Sequence, residues 1–318
     1  MVNTNEEFLS DSDILDIVLD AEQQMTEALE DVIAGVINPL IIKGPPGVSK
    51  SWSVEMATKQ AGVKSTDFLA STWSKPPESD VKEGLVPPFP YNCDQLVTVD
   101  GALIRGSDYS KWALAADLYA NRDSGILCLD DNDTILKDQD AVSMIMAATE
   151  QKVDRRVSYI KANSTHELQM YGVEPSFRVN TPLIILTNID MKLMVDVATQ
   201  SERGGKKVKE SYIKRWEALM SRGTYVDLQM NSPRSVRVFC EHKITTNNIL
   251  TNSKYLEKNH GRSLTKEEQD ECLKWVRHNQ GKLALPLDLR TYNKVADIMI
   301  NRTKTWEQSA KVRFLKAV

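Results

Sequence analysis

Lys50 and Ser51 close the run Leu40-Ile41-Ile42-Lys43-Gly44-Pro45-Pro46-Gly47-Val48-Ser49-Lys50-Ser51, which leads into a helix-like segment from about Trp52 to Ala61. An apolar strand, a glycine-proline turn and a helix start suit phosphate. Backbone N–H groups and the helix N-terminus receive the oxygens, the lysine ammonium reaches the terminal phosphates, and the serine hydroxyl is offered to Mg²⁺. The same glycines also serve a purely structural tight turn that needs positive φ. One position departs from the usual pattern: Ser49 stands where glycine normally precedes the lysine. A strained backbone position costs a non-glycine residue about 1–3 kcal/mol. If all of that appeared in affinity, it would weaken phosphate binding about tenfold to a hundredfold.

A second run, Ile126-Leu127-Cys128-Leu129-Asp130-Asp131 after Gly125, is a buried strand ending in two carboxylates. Nucleotide hydrolysis needs one acid at a strand tip for Mg²⁺ and a second to polarise the attacking water. Asp130 fits the first role and Asp131 the second, although glutamate is commoner there. The plainer reading makes Asp131 and Asp133 a polar strand end that caps the next helix. A third run, Leu183-Ile184-Ile185-Leu186-Thr187-Asn188, ends in an amide that could orient the water or touch the γ-phosphate; a strand-end Asn is also a common turn residue. With lysine, hydroxyl and acids all present, the expectation is a competent, if slow, ATPase.

Placing these residues requires a sheet. Strands are expected at Pro39–Ile42, Asp67–Thr72, Gly125–Leu129 and Leu183–Thr187, and a fifth at Thr224–Leu228 after a helical Val208–Met220. Near-continuous apolar strands separated by helical stretches predict a parallel sheet covered on both faces. Periodic apolar residues predict a helix over Asp11–Ala34. The proline-rich stretch Ser74–Asp108 reads as a long, functional connection. After Gln229 the pattern turns helical, with helices at Pro233–Lys243, Thr265–Asn279, Leu289–Thr303 and Trp306–Ala317. Thr265 and Glu268 form a capping-box signature. The expected division is an α/β ATP-binding domain over 1–230, N-terminal helix included, and a helical domain over 231–318.

The bulk numbers narrow the class. A chain of 318 residues suits one large domain plus a smaller one, and 41% hydrophobic with 26% charged residues is ordinary for a globular protein. A net charge of −4 gives no global pull toward nucleic acid or anionic membrane. No apolar run approaches the roughly 20 residues that span a bilayer. The polar, acidic start is unlike a signal peptide. Cys93, Cys128, Cys240 and Cys272 lack paired spacing, so no zinc site or disulfide framework is indicated, and a reducing cytoplasm is expected.

Together these residues resemble an AAA+ ATPase, most closely the MoxR-like branch that includes dynein-related modules, over roughly Leu40 to Arg302. The run Gly44–Ser51 is similar to its Walker A, Ile126–Asp131 to its Walker B and Asn188 to sensor 1. Glu78–Gly84 resembles the branch's Asp-plus-Gly element, the helix Asp138–Gln151 its helix after Walker B, and Val153–Val179 an insert holding a β-hairpin. The resemblance implies a parallel five-stranded sheet between helices, followed by a small all-α lid. It implies ATP held by Gly44, Pro45, Pro46, Gly47, Val48, Ser49, Lys50, Ser51 and Trp52, and Mg²⁺ held by Ser51 and Asp130. Asp131 and Asn188 would act on the water. Arg222 would be the arginine finger reaching a neighbouring subunit, with Arg215 as its rival. Arg290 would sense the γ-phosphate in cis, with Arg234 of Ser232-Pro233-Arg234 competing. The implied assembly is a homo-oligomeric, hexameric ring that remodels a protein partner, in the cytoplasm (the host's, if the chain is viral). Two alternatives stay open. One is a DNA-directed loader using the basic loop Arg203–Lys209; the other is a nucleotide-gated binding module with negligible hydrolysis.

Overall fold

The computed structural model describes residues 8–63, 102–105, 110–123, 125–159, 173–204 and 211–316. The strand expected at Asp67–Thr72, the Glu78–Gly84 element, Cys93 and the lysines Lys206, Lys207 and Lys209 lie outside these residues. The chain divides into two compact units. One comprises Gln24–Lys43 and Lys50–Val226; the other comprises Met1–Gln23, Gly44–Ser49 and Asp227–Val318.

The first unit is mixed α/β, built on a parallel sheet of four strands: β1 (Leu40–Lys43), β2 (Ala102–Arg105), β3 (Ile126–Asp130) and β6 (Leu183–Thr187). Their order in the sheet is β2-β3-β6-β1. β1 and β6 are buried along their whole length and β3 up to its last residue, as their unbroken Ile and Leu content requires when helices cover both faces. β2 lies inside the stretch that the sequence presents as a connection from Ser74 to Asp108. Four residues are too few to show a pattern, and pairing of Ala102–Arg105 with Ile126–Leu129 supplies the order that the local sequence lacks. A short antiparallel pair, β4 (Arg156–Ser158) and β5 (Ser176–Arg178), stands where the hairpin insert was expected.

Helices α2 (Lys50–Gln60), α3 (Lys111–Ala120), α4 (Asp133–Lys137), α5 (Gln139–Ala148), α6 (Met191–Arg203) and α7 (Ser211–Met220) accompany the strands. Ser110 caps α3 by accepting from the Ala113 N–H, and Asp138 caps α5 by accepting from Asp140 and Ala141. The core joins Leu127, Leu129 and Ile185 of the sheet to Leu114, Val142, Ile145 and Trp216 of the helices. Trp216 is fully buried, and its indole N–H donates to the Leu136 carbonyl at 2.6 Å. Strand β7 (Thr224–Asp227) begins with the Thr224 N–H donating to the Pro39 carbonyl at 2.9 Å.

The second unit is largely helical: α8 (Pro233–Thr246), α9 (Lys254–His260), α10 (Lys266–Asn279), α11 (Leu289–Asn301) and α12 (Trp306–Phe314). Their starts follow from capping chemistry. Thr265 and Glu268 form the expected reciprocal box, Ser232 and Ser235 form another with Pro233 behind the cap, and Asp288 accepts from the Thr291 N–H at 2.8 Å. Phe239, Cys272 and Tyr292 fill the interior. Asp11, the first residue of helix α1 (Asp11–Ile33), bonds Arg234 and Arg237, each at 2.7 Å. Arg237 and Arg277 in turn share Glu241. No helix among the described residues is long and apolar enough to cross a membrane.

Candidate functional site

Strand β6 lies between β1 and β3, so the three strands whose ends carry the sequence motifs are neighbours. Lys43 pairs with Thr187 and Asp130 with Leu186, which brings the three C-terminal tips to one edge. Lys50 opens α2 at that edge. Its Nζ donates to Asn188 Oδ1 at 3.0 Å and lies 3.6 Å from Asp131 Oδ1. Ser51 Oγ donates to Asp130 Oδ2 at 2.5 Å. Residues picked from three separate stretches of sequence therefore form one cluster.

The electrostatics of the cluster are dominated by the lysine. Lys50 is 4% exposed. Burial pulls its pKa below the ordinary lysine value, against the opposing pull of Asp131, Asp130 and Asp133. A buried cation facing three carboxylates is an arrangement in which a polyanion can exchange for one of the acids. Asp131 holds its place through an unusual backbone. Its φ is 51°, in the left-handed region that aspartate tolerates better than most residues, and its N–H donates to the Leu186 carbonyl at 3.0 Å. That turn leaves its carboxylate half exposed at the strand end, beside Lys50.

Two clamps escaped the sequence reading. Asp133 Oδ1 accepts from Thr187 Oγ1 at 2.7 Å, and Thr187 Oγ1 accepts from the Ile189 N–H at 3.0 Å. Together they shape the turn that displays Asn188, so Asp133 is a positioning group as well as the first residue of α4. Lys43 and Asp190 pair at 3.2 Å across the neighbouring tips. Thr187 and Asp190 flank the singled-out Asn188, and that polarity was the available signal.

Magnesium binding can be tested against the donor set. Among the described residues, no group of three or more His, Cys, Asp or Glu is placed to hold a metal by itself. Mg²⁺ does not need one, because it usually keeps waters and takes one or two protein oxygens plus phosphate. Asp130 Oδ1 is buried and has no hydrogen-bond partner among the described residues. A hard cation would satisfy that oxygen, and the Ser51 hydroxyl is already beside its twin. The residues fit the ion.

The loop Gly44–Ser49 has its own constraints within the second unit. Gly47 has φ of 72°, and a Cβ there would lie 2.6 Å from Asp288 Cβ, so both conformation and space require glycine. The Leu289 N–H donates to the Gly47 carbonyl at 3.3 Å, which seats the loop against the start of α11. Gly44 is equally crowded, by Leu228. Ser49 has φ of 65°, and its hydroxyl donates to the Val48 carbonyl at 2.6 Å. Val48 is buried, Pro45 half-buried and Pro46 exposed. Trp52, in the first turn of α2, is 55% exposed.

The four candidate arginines separate. Arg290 is exposed and follows Leu289, whose amide holds the loop. Arg234 is engaged by Asp11 through Nε at 2.8 Å and Nη2 at 2.7 Å. Arg222 Nη1 donates to the Met146 carbonyl at 2.7 Å. It lines a cleft with Asn38 and Pro182, which precede β1 and β6, so it lies at the sheet edge opposite Lys50. Arg215 Nη1 donates to the Gln139 carbonyl at 3.2 Å. The structure thus gathers Lys50, Ser51, Asp130, Asp131 and Asn188, and does not bring Arg222 to them within one chain.

No family model matches the chain. It is 24% identical over 279 residues to a protein of Enterobacteria phage T4 described as "Uncharacterized 36.7 kDa protein in nrdC-mobD intergenic region"; the match covers 88% of this chain and 69% of the phage protein.

Proposed function

We propose that the protein is an AAA+-type ATPase that binds Mg²⁺-ATP and hydrolyses it. The observation that carries the reading is the convergence of Lys50, Ser51, Asp130, Asp131 and Asn188 at the joined tips of β1, β6 and β3. Lys50 would bind the terminal phosphates, and Ser51 and Asp130 would hold Mg²⁺. The ion would neutralise charge that develops on the transferring phosphoryl group. Asp131 would polarise the water, and Asn188, fixed by the Thr187–Asp133 clamp, would orient it. The finer architecture belongs to the same proposal: β7 as a fifth strand beside β1, the helices after Asp227 as a lid, and Arg290 as the cis sensor. Arg290 is preferred to Arg234 because the latter is held by Asp11.

A ring of copies supplies the trans guanidinium. Arg222 at the sheet edge away from its own Lys50 supports that role, since a finger must serve a neighbour's nucleotide. Work on a protein partner is the expected use of the cycle. The decisive experiment compares Mg²⁺-ATP turnover of the intact chain and Lys50→Ala at several protein concentrations. Turnover that rises with concentration and is lost in Lys50→Ala is expected; equal phosphate release from both proteins would sink the proposal.

A further inference from the structure

A cleft of about 690 Å³ opens at the sheet edge opposite Lys50, within the α/β unit. Its charged lining is Glu150, Lys152, Arg155 and Arg222. Glu150 pairs with Lys152 at 2.8 Å. Among the described residues, neither guanidinium has a carboxylate at ion-pair distance. Arg155 instead donates to the Ala148 and Asn180 carbonyls, at 3.3 and 3.1 Å, and Arg222 donates to the Met146 carbonyl at 2.7 Å. Two of these bonds cap the last turn of α5, and a single cation would suffice for that purpose. A guanidinium carries five N–H donors, so most of each fork is left for another acceptor. The main-chain bonds also fix both forks in place before any ligand arrives.

We propose that this cleft is a second anion site, in which Arg155 and Arg222 together grip a phosphate-bearing ligand. Its volume falls in the range of about 300–1,000 Å³ typical of small-ligand sites. Planar guanidinium forks match phosphate oxygens in pairs, where an ammonium offers only a point charge. Asn38, Asn180 and Ser221 complete a polar wall suited to a polyphosphate. The phosphate arrives either free in solution or on a nucleotide held by a second copy of the chain. The second source rests on the function proposed above; the first does not.

Tripolyphosphate is the probe, and Lys50→Ala is the background that disables the other phosphate site. Calorimetry should show one tripolyphosphate site on Lys50→Ala, with Kd raised tenfold or more by adding Arg155→Gln or Arg222→Gln. Because those arginines cap α5, circular dichroism must show the variants folded. As a check needing no cleft substitution, tripolyphosphate should protect Arg155 and Arg222 of Lys50→Ala from phenylglyoxal, read by peptide mass spectrometry. The sources are told apart by mixing Lys50→Ala with Arg155→Gln. ATP turnover above the sum of the two proteins alone assigns the ligand to a second copy; additive turnover with tripolyphosphate binding assigns it to a free anion. No binding, no protection and additive turnover together overturn the site. If the unaltered chain shows no turnover, the ATPase proposal fails while the tripolyphosphate arm still decides the cleft.

Discussion

Replacing Ser49 by glycine restores the residue usual before the lysine, and the structure fixes what that change should do. Ser49 sits at φ of 65°, where a non-glycine residue costs about 1–2 kcal/mol. Its hydroxyl bond to the Val48 carbonyl, at 2.6 Å, returns about 0.5–1.5 kcal/mol. Glycine relieves the strain, loses the bond, and adds about 0.5–1 kcal/mol of unfolded-state entropy. Ser49→Gly should therefore lie within about 1 kcal/mol of the parent. Ser49→Ala keeps the strain and loses the bond, so it should be less stable by about 0.5–1.5 kcal/mol. Glycine thus outranks alanine here, the reverse of their order inside helices. The loop is set by contacts of the protein itself, Gly47 against Asp288 and the Leu289 N–H on the Gly47 carbonyl, so the strain should be equal with and without nucleotide. It lowers folding stability and leaves affinity largely alone, so the ATP Kd of Ser49→Gly should stay within about threefold of the parent. Thermal unfolding of the three proteins, with titration of a nonhydrolysable ATP analogue, reads both quantities. An alanine variant at least as stable as the glycine one, or a tenfold gain in affinity for glycine, would refute the reasoning.

Burial outweighs the nearby acids at Lys50, so its ionised form is disfavoured in the fold. Lys50→Met should melt higher than the parent without Mg²⁺ or nucleotide while losing turnover by about a hundredfold or more; a lower melting temperature in calorimetry counts against this. Arg237 foremost, with Arg234 adding to it, holds the Asp11 carboxyl below its usual value of 3.8 against the opposing effect of burial. A depressed carboxylate stabilises the fold above that value, and the contribution disappears as pH falls through the lowered pKa. Asp11→Asn should accordingly lower Tm at pH 7 and flatten its fall below about pH 4, in melts from pH 7 to pH 3. Trp216→Phe strips the Leu136 carbonyl of its buried donor and should cost about 1–3 kcal/mol in urea unfolding, without changing the slope.

The parts legible in the sequence were those that local chemistry determines. Leu40–Ile42, Ile126–Leu129 and Leu183–Leu186 are apolar without alternation because both faces of the sheet are covered, so their positions could be read directly. Thr265 and Glu268 announced a helix start because both halves of the box lie within one turn. Helix α3 was not read, and the reason is physical: Leu114 to Leu118 are all buried, so it shows no amphipathic stripe. Thr187 and Asp133 are 54 residues apart, and Asp11 and Arg234 are 223 apart. Such partners are chosen by topology, and no spacing rule contains them. Ser49 marks the same divide. Its type raised the question of strain, but only the backbone, with φ of 65° at Ser49, shows the strain itself.

The position of Lys50 gives the cluster a property that no single motif has. Its ammonium is shared between Asn188 at 3.0 Å and Asp131 at 3.6 Å, so one cation holds the amide and the second acid together. In the proposed reading, a phosphate that drew the ammonium away would release both side chains in one event. Asp130 and Ser51 form a pair of their own, the hydroxyl donating to the carboxylate at 2.5 Å. Phosphate would thus act first on Lys50 and the metal on Ser51 and Asp130, two groups linked by adjacency in the chain and by the pull of Asp130 on the lysine. Release from the lysine would leave Asp131 freer to take a proton from water. The Thr187–Asp133 clamp would keep the Asn188 turn in place while its amide changed partner. In the proposed ATPase, withdrawal of that one ammonium would thus link the arrival of phosphate to the readiness of Asp131.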